Sequence, residues 1–378
     1  MTLFLTSPGR RRALLGAAAW VAAPGVFAQP GKAAGRPVTV AQIVDASAQQ
    51  QDVSKDFLIG SRAAWQDINA RGGLRGRPVQ HVSVETDGTA ASVRAALQPL
   101  LDNPACIVLS GTAGDPVAGV LAAELRQHNT PIAHVAPWLQ NSSVDVDDRT
   151  FPIFAARQDQ INHALKSLTV MGVQEVGAVY ASPAEYNLYR DDLERIATGL
   201  KLRLQSFRAS GDLDRLGQRL TPGTPAILLF VGGTPELVQF TQGLEKQQRQ
   251  RYIVALADVN LQTMTQMGAA RNTPVIATQA VPMVTASLPV VRSYRETLSR
   301  LFDEPPVSLS LAGFIAARYT YEVLRDLDGN LTRATALAAF QRRDNVDVGG
   351  YRVAFNPQKR SGTYVTQSML TIDGRVIG

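Results

Sequence analysis

The sequence predicts an α/β protein of two lobes, each a parallel sheet flanked by helices. Three observations favour this fold class. Short apolar runs alternate with longer amphipathic segments from residue 38 onward, the alternation is repeated after residue 157, and 378 residues suffice for two domains. Hydrophobic residues make up 45% of the chain, and Gly and Pro, with 30 and 21 residues, occur at ordinary frequency. Collagen-like, low-complexity and disordered chains are therefore excluded.

The first alternation predicts four strands separated by three helices. Phe57, Ala64, Trp65 and Ile68 recur at nearly helical spacing, whereas the segment 79–85 alternates apolar and polar side chains. A strand–helix–strand order makes a parallel sheet with helices on both faces. The predicted strands are 38–44, 79–85, 106–109 and 131–135, and the predicted helices are 57–69, 89–101 and 117–127.

The second alternation predicts a second Rossmann-like lobe of similar size. No repeat of individual residues accompanies it, so the similarity is one of architecture alone. The predicted strands are 175–180, 202–207, 226–231 and 252–256, and the segments between and before them that we expect to cover the sheet are 158–171, 185–200, 212–220 and 235–248.

The last hundred residues are mostly helical. Helices over 289–302, 308–327 and 332–342 are followed by strand-like segments 351–355 and 364–372. Such helices make no third sheet domain, so they must pack back on the two lobes. We therefore predict a multi-strand hinge with crossings near residues 156, 279 and 346. The predicted first lobe is 37–156 and 280–345, and the predicted second lobe is 157–279 and 346–378.

The N-terminus has the pattern of an export signal. Arg10, Arg11 and Arg12 precede the apolar stretch 13–21, and Val26 and Ala28 place small residues at the −3 and −1 positions of a cleavage site. We predict a signal peptide over residues 1–28 and a periplasmic protein. The arginine run partly resembles a twin-arginine signal, so export by the Tat and Sec routes both stay open.

The remaining charges are balanced, because removing residues 1–28 leaves 35 basic and 32 acidic residues. We therefore expect no nucleic-acid partner. No later segment is long and apolar enough for a membrane span.

The single cysteine, Cys106, lies in an apolar run and forms no intramolecular disulfide. The four histidines are scattered, and no metal, nucleotide or hydrolase motif occurs, so we predict no enzyme, no cofactor and no metal site.

One motif resembles a known family. In the segment 60–79 a glycine-containing helix ends in Ile68-Asn69, and Gly72, Gly73 and Gly76 precede a strand. These glycines end the helix and turn the chain. The segment is similar to periplasmic type I solute-binding proteins of the leucine/isoleucine/valine-binding family, which serve ABC importers. Further matches lie, in order, at 85–87, 109–112, 154–157, 232–236, 310–318 and 349–375.

The resemblance and the fold together suggest a binding cleft. Ligands of open parallel sheets bind beyond the carboxyl ends of the strands, and in the family two facing lobes close on an amino acid. By position, the candidate ligand-binding residues are Ser47, Thr112, Ala113, Gly114, Asp115, Ala136, Pro137, Trp138, Tyr186, Thr234 and Asp258.

Two candidates depart from the family pattern. Asp115 stands where the family usually has Ser or Thr, and a carboxylate there repels a ligand carboxylate. Trp138 replaces a small hydroxyl residue and offers a flat apolar wall. Both changes favour an aromatic, amide or cationic ligand. Alternative roles stay open: Asp115 and Asp258 as helix caps, Trp138 as a cover of the hinge, and Tyr186 as a core aromatic.

The resemblance implies an exported, monomeric receptor that closes on a small organic ligand and delivers it to an ABC permease in the inner membrane. A sensory module that reports ligand binding to a membrane sensor without transport is the alternative. Neighbouring permease and ATPase genes would favour transport.

Overall fold

The computed structural model describes residues 35–141, 143–144, 147–269, 272–354, 362, 364–371 and 373–378. The predicted signal peptide, residues 1–28, lies outside these described residues. Within them, no helix combines the length and the apolar composition that crossing a membrane requires.

The first sheet has five parallel strands in the order β2-β1-β3-β4-β5. We call this sheet and the helices that cover it the first lobe. The strands are β1 (Val38–Asp45), β2 (Val79–Thr86), β3 (Cys106–Ser110), β4 (Ala133–Val135) and β5 (Thr150–Phe151), and the intervening helices are α1 (Gln51–Ala70), α2 (Ala90–Asp102) and α3 (Asp115–Gln127). All four predicted strands and all three predicted helices are present, whereas the two-residue β5 was not predicted.

Strand β1 is buried along its whole length. Val40 and Val44 point into one apolar cluster, and Ala41 and Ile43 point into another on the opposite face. Burial on both faces is typical of a parallel strand between two layers of helices. It explains why this strand is a nearly continuous apolar run in the sequence.

The second sheet has seven strands in the order β14-β13-β10-β9-β8-β6-β7. We call it and its helices the second lobe. The strands are β6 (Glu175–Tyr180), β7 (Arg203–Arg208), β8 (Ile227–Val231), β9 (Tyr252–Ala255), β10 (Val275–Gln279), β13 (Thr366–Leu370) and β14 (Val376–Ile377), and the helices are α4 (Arg157–Val170), α5 (Pro183–Gly199), α6 (Leu213–Gln218), α7 (Thr234–Leu244) and α8 (Leu261–Gln266).

The second sheet is parallel from β7 to β10 and ends in two antiparallel edge strands. Strand β13 runs antiparallel to β10, and β14 runs antiparallel to β13. The prediction of a parallel sheet is thus confirmed for the body of the lobe, and the C-terminal segment extends it in the opposite direction. An antiparallel edge on a parallel sheet is common, because the last strand needs no crossover.

The C-terminal helices pack on the first lobe. They are α9 (Pro289–Leu301), α10 (Ser308–Arg325) and α11 (Arg333–Gln341), and an antiparallel ribbon of β11 (Val346–Val348) and β12 (Tyr351–Val353) follows them. Buried side chains of α10 and of the ribbon, such as Phe314 and Tyr351, share one apolar cluster with β1 and α1. The predicted return of these helices to an existing lobe is confirmed. The exact lobe boundaries near residues 156, 279 and 346 stay a prediction.

Candidate functional site

The loops that follow the carboxyl ends of the strands in the two sheets are joined by a hydrogen bond between a tryptophan and an aspartate. Trp138 follows β4, where its backbone N–H donates to the Thr112 carbonyl at 2.8 Å. Asp258 follows β9. The Trp138 Nε1–H donates to Asp258 Oδ1 at 2.8 Å, and the two residues are only 1% and 5% exposed. A hydrogen bond to a charged acceptor at this depth joins the two lobes directly.

Arg157, the first residue of α4, completes the pairing of Asp258. Its Nη2 donates to Asp258 Oδ2, its Nη1 donates to Glu185 Oε2 at 3.3 Å, and its guanidinium lies 4.7 Å from the centre of the Tyr189 ring. The Arg157 side chain that makes these contacts is buried. A buried guanidinium is tolerated when carboxylates satisfy it, and the bidentate group here is shared between two of them.

Asp115 holds the loop that carries Trp138. Its Oδ1 accepts the backbone N–H groups of Gln140 at 2.6 Å and Asn141 at 2.9 Å, and its Oδ2 accepts from the Tyr189 hydroxyl at 3.3 Å. Burial raises the pKa of the Asp115 carboxyl, while Arg157 acts in the opposite direction. The alternative of Asp115 as a helix cap is wrong, because Gly114 occupies the N-cap position of α3 and no side chain caps that end.

We define the interlobe network as Asp115, Trp138, Arg157, Glu185, Tyr189 and Asp258. It holds three carboxyl groups and one guanidinium. Burial also raises the pKa of Glu185, again against the effect of Arg157. The excess of acidic groups, together with an unpartnered buried oxygen on neighbouring Glu236, makes this region suited to a cationic nitrogen or an N–H donor.

The structure brings three of the eleven predicted site residues, Asp115, Trp138 and Asp258, into this network. Trp138 also packs its ring 5.9 Å from that of Phe57 and 5.3 Å from that of Phe154, beside the start of α4. It therefore both lines the interface and covers the segment that leads into the second lobe. Asp258 is not a helix cap, because Asn260 caps α8.

The remaining predicted residues of the first lobe form the buried frame of the loops. The Thr112 hydroxyl is 3.0 Å from His134 Nε2, and Ala113 accepts from the Asp45 N–H at 3.0 Å. Gly114 adopts a φ of 99°, and Ala136, which with buried Pro137 follows β4, adopts a φ of 47°. These are left-handed conformations, rare outside glycine, that turn the backbone sharply.

Ser47 is half-buried, and its N–H donates to Asp45 Oδ1 at 2.9 Å. In the second lobe, Thr234 is buried and its hydroxyl accepts the Asn260 N–H at 3.0 Å. These two residues hold the backbone of their own loops. Whether they contact a ligand stays a prediction.

Tyr186 lies beside the network rather than in it. Its ring contacts Tyr180 edge to face at 5.1 Å and lies 5.4 Å from the guanidinium of Arg190. The neighbouring Glu185 is the residue that reaches Arg157. Sequence reasoning missed Arg157, Glu185 and Tyr189. A charged residue directly after the apolar segment 151–156 was the available signal for Arg157.

A second polar contact crosses between the lobes closer to α1. Asn260 Nδ2 donates to Asp56 Oδ2 at 2.7 Å. Burial raises the pKa of Asp56 to about 6, although this hydrogen bond and Lys55 act to lower it. Among the residues that the structure describes, no group of His, Cys, Asp and Glu could hold a metal ion.

Known structures share this fold. An extracellular ligand-binding receptor from Verminephrobacter eiseniae superimposes with a TM-score of 0.80 at 18% identity over 90% of this chain and 100% of that one. A substrate-binding periplasmic protein from Ralstonia solanacearum gives 0.78 at 19% identity, with coverage of 90% and 99%. A branched-chain amino acid ABC transporter protein from Thermus thermophilus with bound valine gives 0.76 at 14% identity, with coverage of 90% and 94%.

No curated protein matches this chain. A family model described as periplasmic binding protein matches residues 37–369. That span contains the first sheet, strands β6 to β10 of the second sheet, the C-terminal helices and every residue of the interlobe network. The chain therefore belongs to the type I periplasmic binding proteins, the family that the glycine motif at residues 60–79 predicted.

Proposed function

We propose that this protein is the exported receptor of an ABC importer, and that its two lobes close on a small organic ligand bearing a cationic or amide nitrogen. Amino acids, amides and aromatic or cationic metabolites belong to this class. The closed receptor then delivers its ligand to a permease in the inner membrane. Family membership and the similarity to transporter proteins support the receptor role, since periplasmic binding proteins are receptors rather than enzymes.

The observation that carries the ligand class is the acidic excess of the interlobe network. Asp115, Glu185 and Asp258 share one guanidinium, that of Arg157. A ligand ammonium or amide N–H gains hydrogen bonds from such a set, whereas a ligand carboxylate beside Asp115 is repelled. This arrangement favours amines and amides over simple carboxylates.

Closure is driven by contacts that exist only when the lobes meet. The bonds of Trp138 to Asp258 and of Asn260 to Asp56 both join residues of different lobes. Opening of the two lobes breaks these hydrogen bonds. A ligand that contacts both loops forms its own bonds in their place. A ligand shifts the equilibrium between open and closed forms only by its difference in affinity for the two.

A thermal-shift screen of the purified protein against amino acids, amides, aromatic acids and polyamines tests the proposal. A ligand at 100 times its Kd stabilises the protein by about 2.7 kcal/mol. Asp258→Asn should weaken an amine or amide ligand at least tenfold, and Asp191→Asn, an exposed change on α5, is the matched control. Absence of any stabilising amine or amide would overturn the ligand class.

Two further measurements address export and transport. N-terminal sequencing of the periplasmic protein should begin at Gln29 if the predicted signal peptide is removed. Loss of ligand uptake on deletion of the gene supports import. Unchanged uptake with loss of a ligand-dependent response instead supports the sensory alternative.

A further inference from the structure

A large cavity that the described residues line lies apart from the interlobe network. It has a volume of about 710 Å³. The second lobe contributes α8 and strands β10, β13 and β14, and the first lobe contributes α9 and the start of α10. None of the six network residues lines it. Cavities of this size accommodate ligands larger than an amino acid.

Most of the cavity wall is apolar. Leu261 and Leu309 form its buried part. At its opening, Val376 and Ile377 are 40% and 47% exposed, which is unusual for large aliphatic side chains and leaves apolar surface in contact with water. A hydrocarbon or aromatic body would remove this surface from water.

One cation in the wall has no counter-charge among the residues that the structure describes. Arg295 of α9 is half-buried and lines the cavity, and it forms no ion pair or hydrogen bond with any described residue, including Gly378 in the same wall. The other arginine of the cavity, Arg375, is paired with Asp373 at 2.5 Å. A free guanidinium beside an apolar surface is the natural partner of a ligand carboxylate.

A buried amide supplies a second polar anchor. Gln279, at the end of β10, is 9% exposed; its Nε2 donates to Ser368 Oγ at 2.6 Å, and its buried Oε1 has no partner among the described residues. Both Gln279 and Ser368 line the cavity. This oxygen would accept a hydroxyl or N–H group carried on the body of an occupant, away from its carboxylate, and a simple probe such as octanoate leaves it unpaired.

We propose that this cavity is a second binding site, for an amphipathic carboxylic acid whose carboxylate pairs with Arg295 and whose apolar body lies against α8 and β14. The cavity offers a positive charge and a mostly apolar wall, whereas the interlobe network has an excess of acidic groups and is polar. It does not depend on the proposed ligand of the network. Because both lobes contribute to its wall, its occupant holds them together.

Isothermal titration of the purified protein with sodium octanoate tests the site. Octanol and octylamine share the chain length and lack the carboxylate. We expect saturable binding of one octanoate per protein, with octanol and octylamine each at least tenfold weaker. Equal affinity for the three probes, or no binding of octanoate, would overturn the proposal.

Variants then locate the site. Arg295→Gln should weaken octanoate binding at least tenfold, whereas Arg292→Gln, an exposed change on the same helix, should leave it unchanged. Val376→Asp, at a half-exposed position that tolerates a polar residue, should also weaken it. Asp258→Asn separates the two proposals, because it affects amine or amide ligands of the network and leaves octanoate binding intact. Octanoate binding that is indifferent to both Arg295→Gln and Val376→Asp would refute the assignment.

Discussion

Gly60 of α1 and Gly313 of α10 let these two helices touch backbone to backbone. A Cβ atom on Gly60 would lie 1.7 Å from the Ser310 carbonyl oxygen, and one on Gly313 would lie 1.9 Å from that of Phe57. Both distances are far below any real contact, so only hydrogen fits at either position. This crossing fixes the C-terminal helix α10 on the first lobe.

Gly313→Ala should lower the free energy of unfolding by about 1–3 kcal/mol, because the added methyl group forces the helices apart. Urea unfolding measures the change. Gly199→Ala, at the end of α5, is the matched control: a Cβ there meets nothing within 4 Å, so stability should be unchanged or raised by about 0.5–1 kcal/mol. Equal effects of the two substitutions would contradict the close helix contact.

Trp138→Phe should destabilise the protein by about 1–3 kcal/mol, because Asp258 loses a donor while it stays buried. Since the lost bond joins the two lobes, the radius of gyration in solution scattering should also increase. Trp65→Phe is the control: Trp65 is equally buried but packs within the first lobe, 6.3 Å from the His81 ring. An increase in radius for both variants would argue against a specific role of the Trp138 bond.

Asp56 should make stability depend on pH. Its pKa of about 6 in the folded protein exceeds the ordinary 3.8, so the folded state binds the proton more tightly. Its favourable contribution is therefore complete below pH 4 and is lost as the pH rises through 6. We expect wild type to lose about 1–2 kcal/mol relative to Asp56→Asn between pH 4 and 7, given about 1.4 kcal/mol per pKa unit and partial screening.

Urea unfolding at a series of pH values measures this difference. Asp191→Asn, an exposed change on α5 away from Asp56, should keep the pH dependence of the wild type. If Asp56→Asn keeps it as well, the titrating group is not Asp56.

Arg333 should matter more for stability than its partly exposed position suggests. Its guanidinium donates to four backbone carbonyl oxygens of the first lobe, those of Leu100, Leu101, Asn103 and Cys106. Lysine cannot reproduce this planar set of donors, so Arg333→Lys should cost about 1–3 kcal/mol. Arg342→Lys, an exposed arginine just after the same helix, should change the melting temperature little. Similar melting temperatures for both variants would contradict this role.

The sequence predicted the two lobes because the signals for strands and helices are local. Strand β1 and helix α1 are recognisable from a few neighbouring residues, and the family prediction from residues 60–79 is confirmed. Strand β10 was missed because its second half, Thr278-Gln279, is polar and interrupts the apolar run that marks the equally short β3 and β8, and β14 has only two residues.

The site was predictable only in part. The carboxyl ends of the strands located Asp115, Trp138 and Asp258, because strand order fixes which loops meet. Their partners were not predictable. Arg157 pairs with Asp258 across 101 positions of sequence, and Asp115 accepts from Tyr189 across 74. Such pairs depend on side-chain orientation in a buried interface, which local periodicity does not encode.

The placement of α10 on the first sheet has a consequence for biogenesis. A nascent chain that ends at residue 300 contains every strand from β1 to β10 but lacks α10, so the apolar surface of α1 and β3 that α10 contacts would meet water. The strands that are synthesised first are therefore covered only after some of the last helices have been synthesised. Until the ribosome has passed about residue 350, a holdase or an export chaperone has an apolar surface to bind.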